Sequence, residues 1–296
     1  MIMKKKNSLT RRDAIKAAAL SALSLPCLGA LSSLAADTDS SSSPAFQDKL
    51  KLGVATISLS KKTIPEVIAA LKQLQIESAS LYKTHAPWAD GSPDQCRAIV
   101  KQFTDAGLIV SSTGVVDFTT DEYAARMAFD NVKACGLKTM CARPTPEALP
   151  LVEKLVKEYD IKIAIHNHGP TDLYPTGEDA WKAVQPYDKR IGLCIDVGHA
   201  WRAGGDPVSE ILSCRERLYQ VHLKDTRGPK GTGTKDPSPV IVGHGDLDIK
   251  GILAALVQIE YPYRTDFEYE EKVEDQLPGL AECVGYVRGV LSQISA

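Results

Sequence analysis

Two stretches of sequence decide the fold: LYQVHLKD at Leu218–Asp225 and IGLCIDVGHA at Ile191–Ala200. Each begins as an apolar run of strand length and carries acidic or imidazole side chains towards its downstream end. Apolar strands that end in ligand-type residues are typical of a site at the mouth of a parallel barrel, where the loops after the strands meet. These stretches therefore predict a barrel whose functional residues lie at the carboxyl ends of its strands.

The chain around these stretches alternates between strand-like and helix-like segments eight times from Leu50 onward. Parallel strands need helical crossovers, and eight strand–helix units close into a ring. The sequence therefore predicts an α/β fold, a single-domain (β/α)8 TIM barrel, with a long loop over Thr226–Leu247. A doubly wound open sheet is the alternative, but no Gly-rich dinucleotide fingerprint follows the first strand. The predicted strands are Leu50–Leu59, Ser78–His85, Leu108–Phe118, Leu137–Arg143, Ile161–His168, Ile191–Gly198, Leu218–Lys224 and Arg264–Glu270.

The first 36 residues differ from the rest in composition. A basic start, Arg11 and Arg12 within TRRDAIK, and a moderately apolar run up to residue 36 resemble a twin-arginine export signal. A basic amphipathic helix or a membrane anchor is the alternative, but Pro26 and Gly29 interrupt the apolar run and weaken it as a permanent span. The predicted organisation is a signal peptide over 1–36, a Ser-rich linker over 37–47 and the barrel over 48–296, in a protein exported to the periplasm.

The charge balance excludes one class of partner. Without residues 1–36, which carry six Lys or Arg and one Asp, the chain has 29 basic and 36 acidic side chains. Nucleic-acid binding needs a basic face, so the sequence predicts no nucleic-acid partner. Whether the barrel forms a homo-oligomer stays open. The six cysteines beyond residue 36 occur singly in predicted strands and helices, which predicts core residues and no metal or redox motif.

All six histidines are predicted near the carboxyl ends of strands or in the loop after the seventh strand. A single histidine in such a place is more often structural than a ligand. Six at one rim reverse that judgement and indicate a metal site. The histidines are His85, His166, His168, His199, His222 and His244.

Candidate ligands also share the inward faces of the strands. Side chains alternate along a strand, so residues two apart point to the same side. Asp196 lies near the end of the sixth predicted strand, with His199 just beyond it. Imidazole and carboxylate ligands together suit one divalent ion, Mn²⁺, Zn²⁺, Co²⁺ or Mg²⁺. The pairs that share a face are His166 with His168, His222 with Lys224, and Glu268 with Glu270.

Five segments in order resemble the xylose-isomerase-like TIM-barrel family, whose members are usually described as sugar phosphate isomerases or epimerases. The likeness extends from Leu50 to the last predicted helix. Each motif is weak alone, but five at the ends of strands five to eight are specific together. The segments are IAIHNHGP (Ile163–Pro170), GLCIDVGHAWRAG (Gly192–Gly204), YQVHLKD (Tyr219–Asp225), VGHGDLD (Val242–Asp248) and DFEYE (Asp266–Glu270).

The resemblance implies one divalent metal ion held by a Glu, Asp, His, Glu set. Carried over to this chain, the last three ligands are Asp196, His222 and Glu268, with Glu270 as the substitute if the strand register is shifted by one pleat. The first family glutamate is His166 here, which departs from the pattern. In the family's epimerases the two glutamates also carry protons on opposite faces of the sugar, whereas an imidazole still ligates a metal or moves a proton.

The implied chemistry is the removal of a proton next to a sugar carbonyl, with the enediolate stabilised by the metal. The resemblance thus implies a metal-dependent carbohydrate isomerase or epimerase whose partner is a small-molecule substrate, a sugar or keto-glycoside. Glu268 or Glu270 is predicted to be the base, and His168 and His199 to contact substrate or move protons. Lys224 is predicted to stabilise the developing oxyanion, with a structural ion pair to a neighbouring acid as its alternative.

Three other functions are weighed against isomerisation. Expulsion of a group from the next carbon gives a lyase, and some exported relatives resemble enzymes that cleave 3-keto-glycosides by β-elimination. His166 and the predicted export both favour this lyase. A barrel that binds a sugar or metal without catalysis is the second alternative. A zinc nuclease for abasic DNA is disfavoured, because that branch of the family carries a larger ligand set and a basic groove.

Overall fold

The structure, a computed structural model, describes residues 49–231 and 238–295. The predicted signal peptide and linker lie outside the described residues, as do residues 232–237 of the predicted long loop. Within the described ranges, no helix is long and apolar enough to cross a membrane.

Parallel strands form a ring that confirms the predicted barrel. Neighbouring strands follow the order β3-β2-β1-β11-β8-β7-β6-β5-β4. The two outermost, β3 and β4, are halves of the predicted third strand, so the ring closes through a single passage of the chain. The strands of the ring are β1 (Lys51–Ala55), β2 (Ser78–Leu81), β3 (Ile109–Thr113), β4 (Val116–Phe118), β5 (Thr139–Pro144), β6 (Lys162–His166), β7 (Ile191–Asp196), β8 (Leu218–Leu223) and β11 (Arg264–Phe267).

A side chain bridges the break in the third strand. The hydroxyl of Thr113, at the end of β3, donates a hydrogen bond to the carbonyl of Cys141 at 3.2 Å and accepts one from its N–H at 3.1 Å. The hydroxyl thus takes the place of a backbone partner for β5, at the point where the backbone of β3 leaves the sheet. The N–H of Gly114 turns to the carbonyl of Leu81 on β2 at 2.7 Å, and a Cβ at Gly114 would lie 2.8 Å from the Tyr82 Cα.

Helices follow the strands as the alternation predicts, with one addition. A short helix begins directly after Asp196, so the predicted sixth strand ends at Asp196 and not at Gly198. The Asp196 side chain causes this change, because its Oδ1 accepts a hydrogen bond from the N–H of His199 and caps the helix. The helices are α1 (Ile64–Gln73), α2 (Pro93–Asp105), α3 (Glu122–Ala134), α4 (Leu149–Tyr159), α5 (Gly177–Val184), α6 (Val197–Arg202), α7 (Pro207–Cys214), α8 (Ile249–Gln258) and α9 (Leu277–Gln293).

Local sequence signals set several helix ends. Thr63, Ser92 and Thr176 form capping boxes at the starts of α1, α2 and α5. Gly107 and Gly136 follow α2 and α3 with φ of +80° and +72°, in the left-handed region that glycine enters without strain. Glycine at each of these positions therefore lets the chain leave the helix.

The apolar core lies mainly between the strands and the surrounding helices. A second, small cluster is made of Cys141, Ala164, Cys194 and Tyr219. Ala164 and Cys194 lie two residues before His166 and Asp196, so they share the inward face of their strands. The cysteines with described structure are all free thiols, and Cys135 alone among them is not buried. Cys141 and Cys194 are core residues, as predicted, but alternate strands bring these two thiols together inside the barrel, which their separate positions in the sequence did not indicate.

The long loop after β8 contains a small antiparallel pair, β9 (Asp225–Arg227) and β10 (Ser238–Val240). The buried carboxylate of Asp225 organises its return path. Oδ2 accepts hydrogen bonds from the N–H groups of Gly243 and Gly245 at 2.9 and 3.0 Å, and Oδ1 accepts one from Leu247 at 3.4 Å. One side chain thereby holds the VGHGDLD segment against the barrel rim.

Candidate metal centre

The four predicted metal ligands meet at the carboxyl ends of four adjacent strands. His166 ends β6, Asp196 ends β7, His222 lies in β8, and Glu268 directly follows β11. One ligand atom from each lies within 4.8 Å of the others, and all four residues are buried. The strand register produces this meeting, since Asp196 pairs with His222.

Several ligand atoms in this group have no hydrogen-bond partner. They are Nδ1 and Nε2 of His166, Oδ2 of Asp196, Nδ1 of His222 and Oε2 of Glu268. The last two atoms are 2.8 Å apart without hydrogen-bond geometry. Buried polar atoms are nearly always paired, so a convergence of unpaired imidazole and carboxylate atoms fits a bound ion. Two imidazoles and two carboxylates are a donor set for Zn²⁺, Mn²⁺ or Co²⁺, and the carboxylates also suit Mg²⁺.

The electrostatics of the group follow from its crowded charges. Burial acts to lower the pKa of His166, but Asp196 and Glu268, at 3.7 and 3.9 Å from its Nε2, outweigh burial and raise that pKa to about 10. Burial acts to raise the pKa of both carboxyls, and nearby cations overcome it and hold each pKa below its usual value. Lys224 is a main contributor to both of these lowered values. The carboxylates are therefore ionised and ready to bind a cation.

Asn167 positions Asp196, and the sequence analysis missed it. Its Nδ2 donates a hydrogen bond to the Asp196 carbonyl at 3.1 Å, and its Oδ1 accepts one from the Asp196 N–H at 2.8 Å. Together with the N–H of His199 on Oδ1 at 2.8 Å, these bonds fix the aspartate and leave its Oδ2 facing the other ligands. A polar residue between two histidines gives no sequence signal for this role.

Lys224 connects the ligands with Glu270. Its Nζ lies 2.6 Å from Oε2 of Glu270, 3.4 Å from Oδ2 of Asp196 and 3.7 Å from Oε2 of Glu268. Burial acts to lower the pKa of this ammonium, but the three carboxylates raise it well above its usual value. The ion pair with Glu270 that was the alternative for Lys224 is therefore present, and Lys224 also lines the cavity described next.

A cavity of about 200 Å³ opens above the group. His166, His222 and Glu268 form part of its wall on the side of the four ligands. This volume suits a substrate of the size of one sugar ring. The remaining lining residues are Ala55, Thr56, Ile57, Ser80, Tyr82, Lys83, Gly114, Val115, Asp117, Arg143, His168, Lys224 and Glu270.

The two histidines predicted to contact substrate differ in position. His168 lines the cavity, and its half-exposed ring has Nδ1 3.5 Å from Oδ2 of Asp172. Burial, together with the charges of His166 and Lys224, lowers the pKa of His168. His199 is buried behind Lys224, with Nε2 3.2 Å from its Nζ, and is not part of the cavity wall. Their predicted roles stay predictions, but only His168 is placed to touch a ligand in this cavity.

The other two histidines lie away from the metal ligands. His85 is buried, with Nδ1 3.0 Å from the hydroxyl of Thr56 and Nε2 3.0 Å from the carbonyl of Lys62. His244 is half-exposed and lies 2.9 Å from a carboxylate oxygen of Glu282 on α9. Both contacts are structural.

Residues 52–283 match the profile of the xylose isomerase-like TIM barrel family, which is most of the chain. The chain belongs to this family. The match covers every strand of the ring except the first residue of β1, together with all four metal-ligand candidates. The resemblance drawn from the five sequence segments is therefore confirmed.

Curated relatives match the chain over shorter lengths. The rhizopine catabolism protein MocC of Rhizobium meliloti is 35% identical over 122 residues, 38% of this chain and 37% of that protein. An inosose dehydratase of Klebsiella pneumoniae is 27% identical over 145 residues, 40% of this chain and 48% of that protein. The chain thus spans less than half of the length of either relative.

Solved structures show the same fold at low sequence identity. The IolI protein, crystallised with a zinc atom, has a TM-score of 0.68 at 17% identity, over 83% of this chain and all of that one. The 3-keto-D-glucoside 4-epimerase YcjR of E. coli has a TM-score of 0.65 at 13% identity, over 81% of this chain and all of that one. At such identities the likeness shows the fold alone.

Proposed function

We propose that this xylose isomerase-like barrel is a divalent-metal-dependent enzyme that removes a proton next to the carbonyl of a sugar or keto-sugar, acting as an isomerase or epimerase. The observation that carries the proposal is the convergence of unpaired ligand atoms from His166, Asp196, His222 and Glu268 beside a cavity. A divalent ion held there supplies Lewis-acid stabilisation of negative charge on a substrate oxygen.

The protein's own groups are suited to the proton transfer. Glu270 lines the cavity, and its ion pair with Lys224, at 2.6 Å, holds the carboxylate in place as a base. Glu268 also lines the cavity, but its Oε2 faces the other metal-ligand candidates. Of the two predicted bases, Glu270 is therefore the one whose carboxylate is not turned towards the metal-ligand candidates.

Lys224 and His168 complete the proposed machinery. The ammonium of Lys224 is at the cavity wall, where it stabilises an oxyanion that forms on the substrate. His168 has a lowered pKa, so at neutral pH its ring is neutral and accepts or returns a proton. These two groups and Glu270 surround the space next to the metal-ligand candidates.

Elimination is the second candidate, and His166 is the observation that favours it. The family's epimerases carry protons on opposite faces of the sugar with two glutamates, and β6 provides an imidazole where one of these is expected. A barrel with one such glutamate is better suited to removing one proton and expelling a neighbouring group. The inosose dehydratase relatives support elimination, because a dehydratase eliminates water. Cleavage of a 3-keto-glycoside by β-elimination is another form of this alternative.

Proton NMR in D2O separates these functions. The purified protein is loaded with Mn²⁺ or Zn²⁺ for metal analysis, and a Mg²⁺- or Zn²⁺-loaded sample is incubated with a ketose and with a 3-keto-glycoside. We expect about one equivalent of metal and deuterium in a retained sugar from an isomerase or epimerase. Release of the aglycone establishes the elimination instead.

Two variants make the experiment specific to the site. Glu270→Gln and Glu268→Gln are expected to lose exchange and elimination, whereas Glu274→Gln, an exposed acid in the same loop, keeps wild-type turnover. Bound metal without exchange or elimination of either substrate contradicts the enzyme proposal and supports a barrel that only binds. Full turnover by both site variants contradicts the proposed proton chemistry.

A further inference from the structure

We propose that Cys141, Cys194 and His222 form a second metal site inside the barrel, which takes a thiophilic divalent ion such as Cd²⁺ or Zn²⁺. The two sulfur atoms and a ring nitrogen of His222 lie within 4.8 Å of one another. All three side chains are at most 2% exposed. This group is distinct in chemistry from the carboxylate and imidazole set, although it shares His222 with that set.

The strand register explains why two cysteines from non-adjacent strands meet. Cys141 on β5 stands level with Ala164 on β6, and Cys194 on β7 stands level with His166. Only a methyl group projects from β6 beside Cys141, so the thiol groups of β5 and β7 approach each other across it. The same four-residue cluster of Cys141, Ala164, Cys194 and Tyr219 packs apart from the main core.

The donor chemistry selects the ion. Thiolates and imidazole are ligands for Zn²⁺ and softer ions, whereas Mg²⁺ and Mn²⁺ prefer oxygen. Binding releases one proton from each thiol, so the two thiolates balance the charge of a divalent ion and no oxidant or reductant is needed. Gln220 stands opposite Cys194 in the β7–β8 register, with its Nε2 3.1 Å from Nε2 of His222. Its buried Oε1 has no hydrogen-bond partner and is the candidate for a fourth donor.

The shared histidine couples the two sites. An ion among the thiols draws His222 away from Asp196 and Glu268, so thiophilic ions are expected to inhibit the sugar chemistry. The expected inhibition rests on the proposed function. The thiolate site does not, because metal binding to thiolates is measured without any substrate.

Ultraviolet absorption tests the site. Metal-free, reduced protein is titrated with Cd²⁺, and the thiolate-to-metal charge-transfer band is followed. We expect a band that saturates at about one equivalent in the wild type. Cys194→Ser and Cys141→Ser should each lose at least half of it, since each removes one of two sulfur ligands. Cys214→Ser, a buried lone cysteine in α7, should keep the full band.

A wild-type protein without the band overturns the proposal, as does a band in Cys194→Ser and Cys141→Ser that is as strong as the wild-type band. Circular dichroism and calorimetric binding of Mn²⁺ check that each variant is folded and keeps the site of carboxylate and imidazole ligands. If one cysteine variant fails to fold, the other still decides the outcome.

Discussion

Lys224 is the residue that balances the negative charge of the candidate site. Its ammonium is buried among Asp196, Glu268 and Glu270, the nearest of which is 2.6 Å away. Buried positive groups placed where negative charge develops typically contribute two to three orders of magnitude to a rate. We therefore expect Lys224→Met to lower turnover of a keto-sugar by on the order of 10²-fold, measured by NMR exchange.

The matched control for Lys224 is Lys138→Met. Lys138 is exposed and directly precedes β5, at the opposite end of the barrel from the cavity. The substitution Lys138→Met should therefore leave turnover unchanged. Undiminished activity in Lys224→Met would show that this lysine is only a structural ion-pair partner.

Glu210 provides a pH-dependent test of stability away from the metal ligands. Burial raises its pKa from the usual 4.5 to about 7, and the N–H of Gly177, 2.9 Å from its Oε2, opposes that rise only in part. A carboxyl with a raised folded-state pKa contributes stability that is complete below 4.5 and lost as pH rises through about 7. Between pH 5 and pH 8, the unfolding free energy of the wild type should therefore fall by about 2 kcal/mol more than that of Glu210→Gln.

Urea unfolding at the two pH values measures this difference for Glu210. Glu216→Gln is the control, because Glu216 is exposed in the short turn between α7 and β8 and is not among the charges that raise the pKa of Glu210. The assignment is wrong if Glu210→Gln and the wild type lose the same free energy between pH 5 and pH 8.

The residues of the candidate site were predictable where period-two alternation and strand ends fix them. Asp196, His222 and Glu268 follow from that rule together with the family resemblance. The role of Asn167 and the meeting of Cys141 with Cys194 could not be predicted from the sequence. Their partners are tens of residues away in sequence and meet only through the strand register. Such contacts depend on which strands are neighbours and at what stagger, which a local pattern does not contain.

At the level of elements, the loop after β8 depends on one carboxylate and two glycines. A Cβ at Gly245 would lie 2.0 Å from Oδ1 of Asp225, the side chain that holds the N–H groups of this loop. We expect Gly245→Ala to displace the carboxylate and lower the free energy of unfolding by about 2 kcal/mol. Hydrogen exchange at the Gly243 and Leu247 amides, both bonded to Asp225, should become faster.

Gly285→Ala is the opposite case and serves as the control for Gly245→Ala. Gly285 lies in α9, and a Cβ there would meet nothing within 4 Å. Alanine should stabilise this helix by about 0.5–1 kcal/mol. Equal effects of the two substitutions would contradict the importance of the Asp225 contacts.

Elements were predictable where their signals are local. The apolar runs placed the starts of β2, β7, β8 and β11 at the residues where the structure has them, Ser78, Ile191, Leu218 and Arg264. The pair β9 and β10, the break between β3 and β4, and helix α6 were not predicted. Each of these depends on one side chain, Asp225, Thr113 or Asp196, bonding to backbone whose position the fold determines.

At the level of the whole molecule, the barrel follows from eightfold strand–helix alternation, since eight parallel units have a closed ring as their natural arrangement. Closure places the ends of β6, β7, β8 and β11 side by side. Residues from 166 to 268 thereby share one rim, and the metal-ligand group is a product of the complete ring. Binding of an ion to that group should accordingly stabilise the barrel as a unit.

Metal removal tests this coupling. An ion that binds only the folded state stabilises it by about 2.7 kcal/mol at a free concentration 100 times its Kd. For a barrel of this size, that raises the Tm by about 5–10 °C. We expect Mg²⁺ or Mn²⁺ added after EDTA treatment to produce such a rise in calorimetry. Asp196→Asn should lose most of the rise, whereas Asp105→Asn, an exposed acid at the end of α2, should keep it. An equal rise in both variants would place the bound ion elsewhere, because Asp196 contributes an unpaired oxygen to the ligand group and Asp105 does not belong to that group.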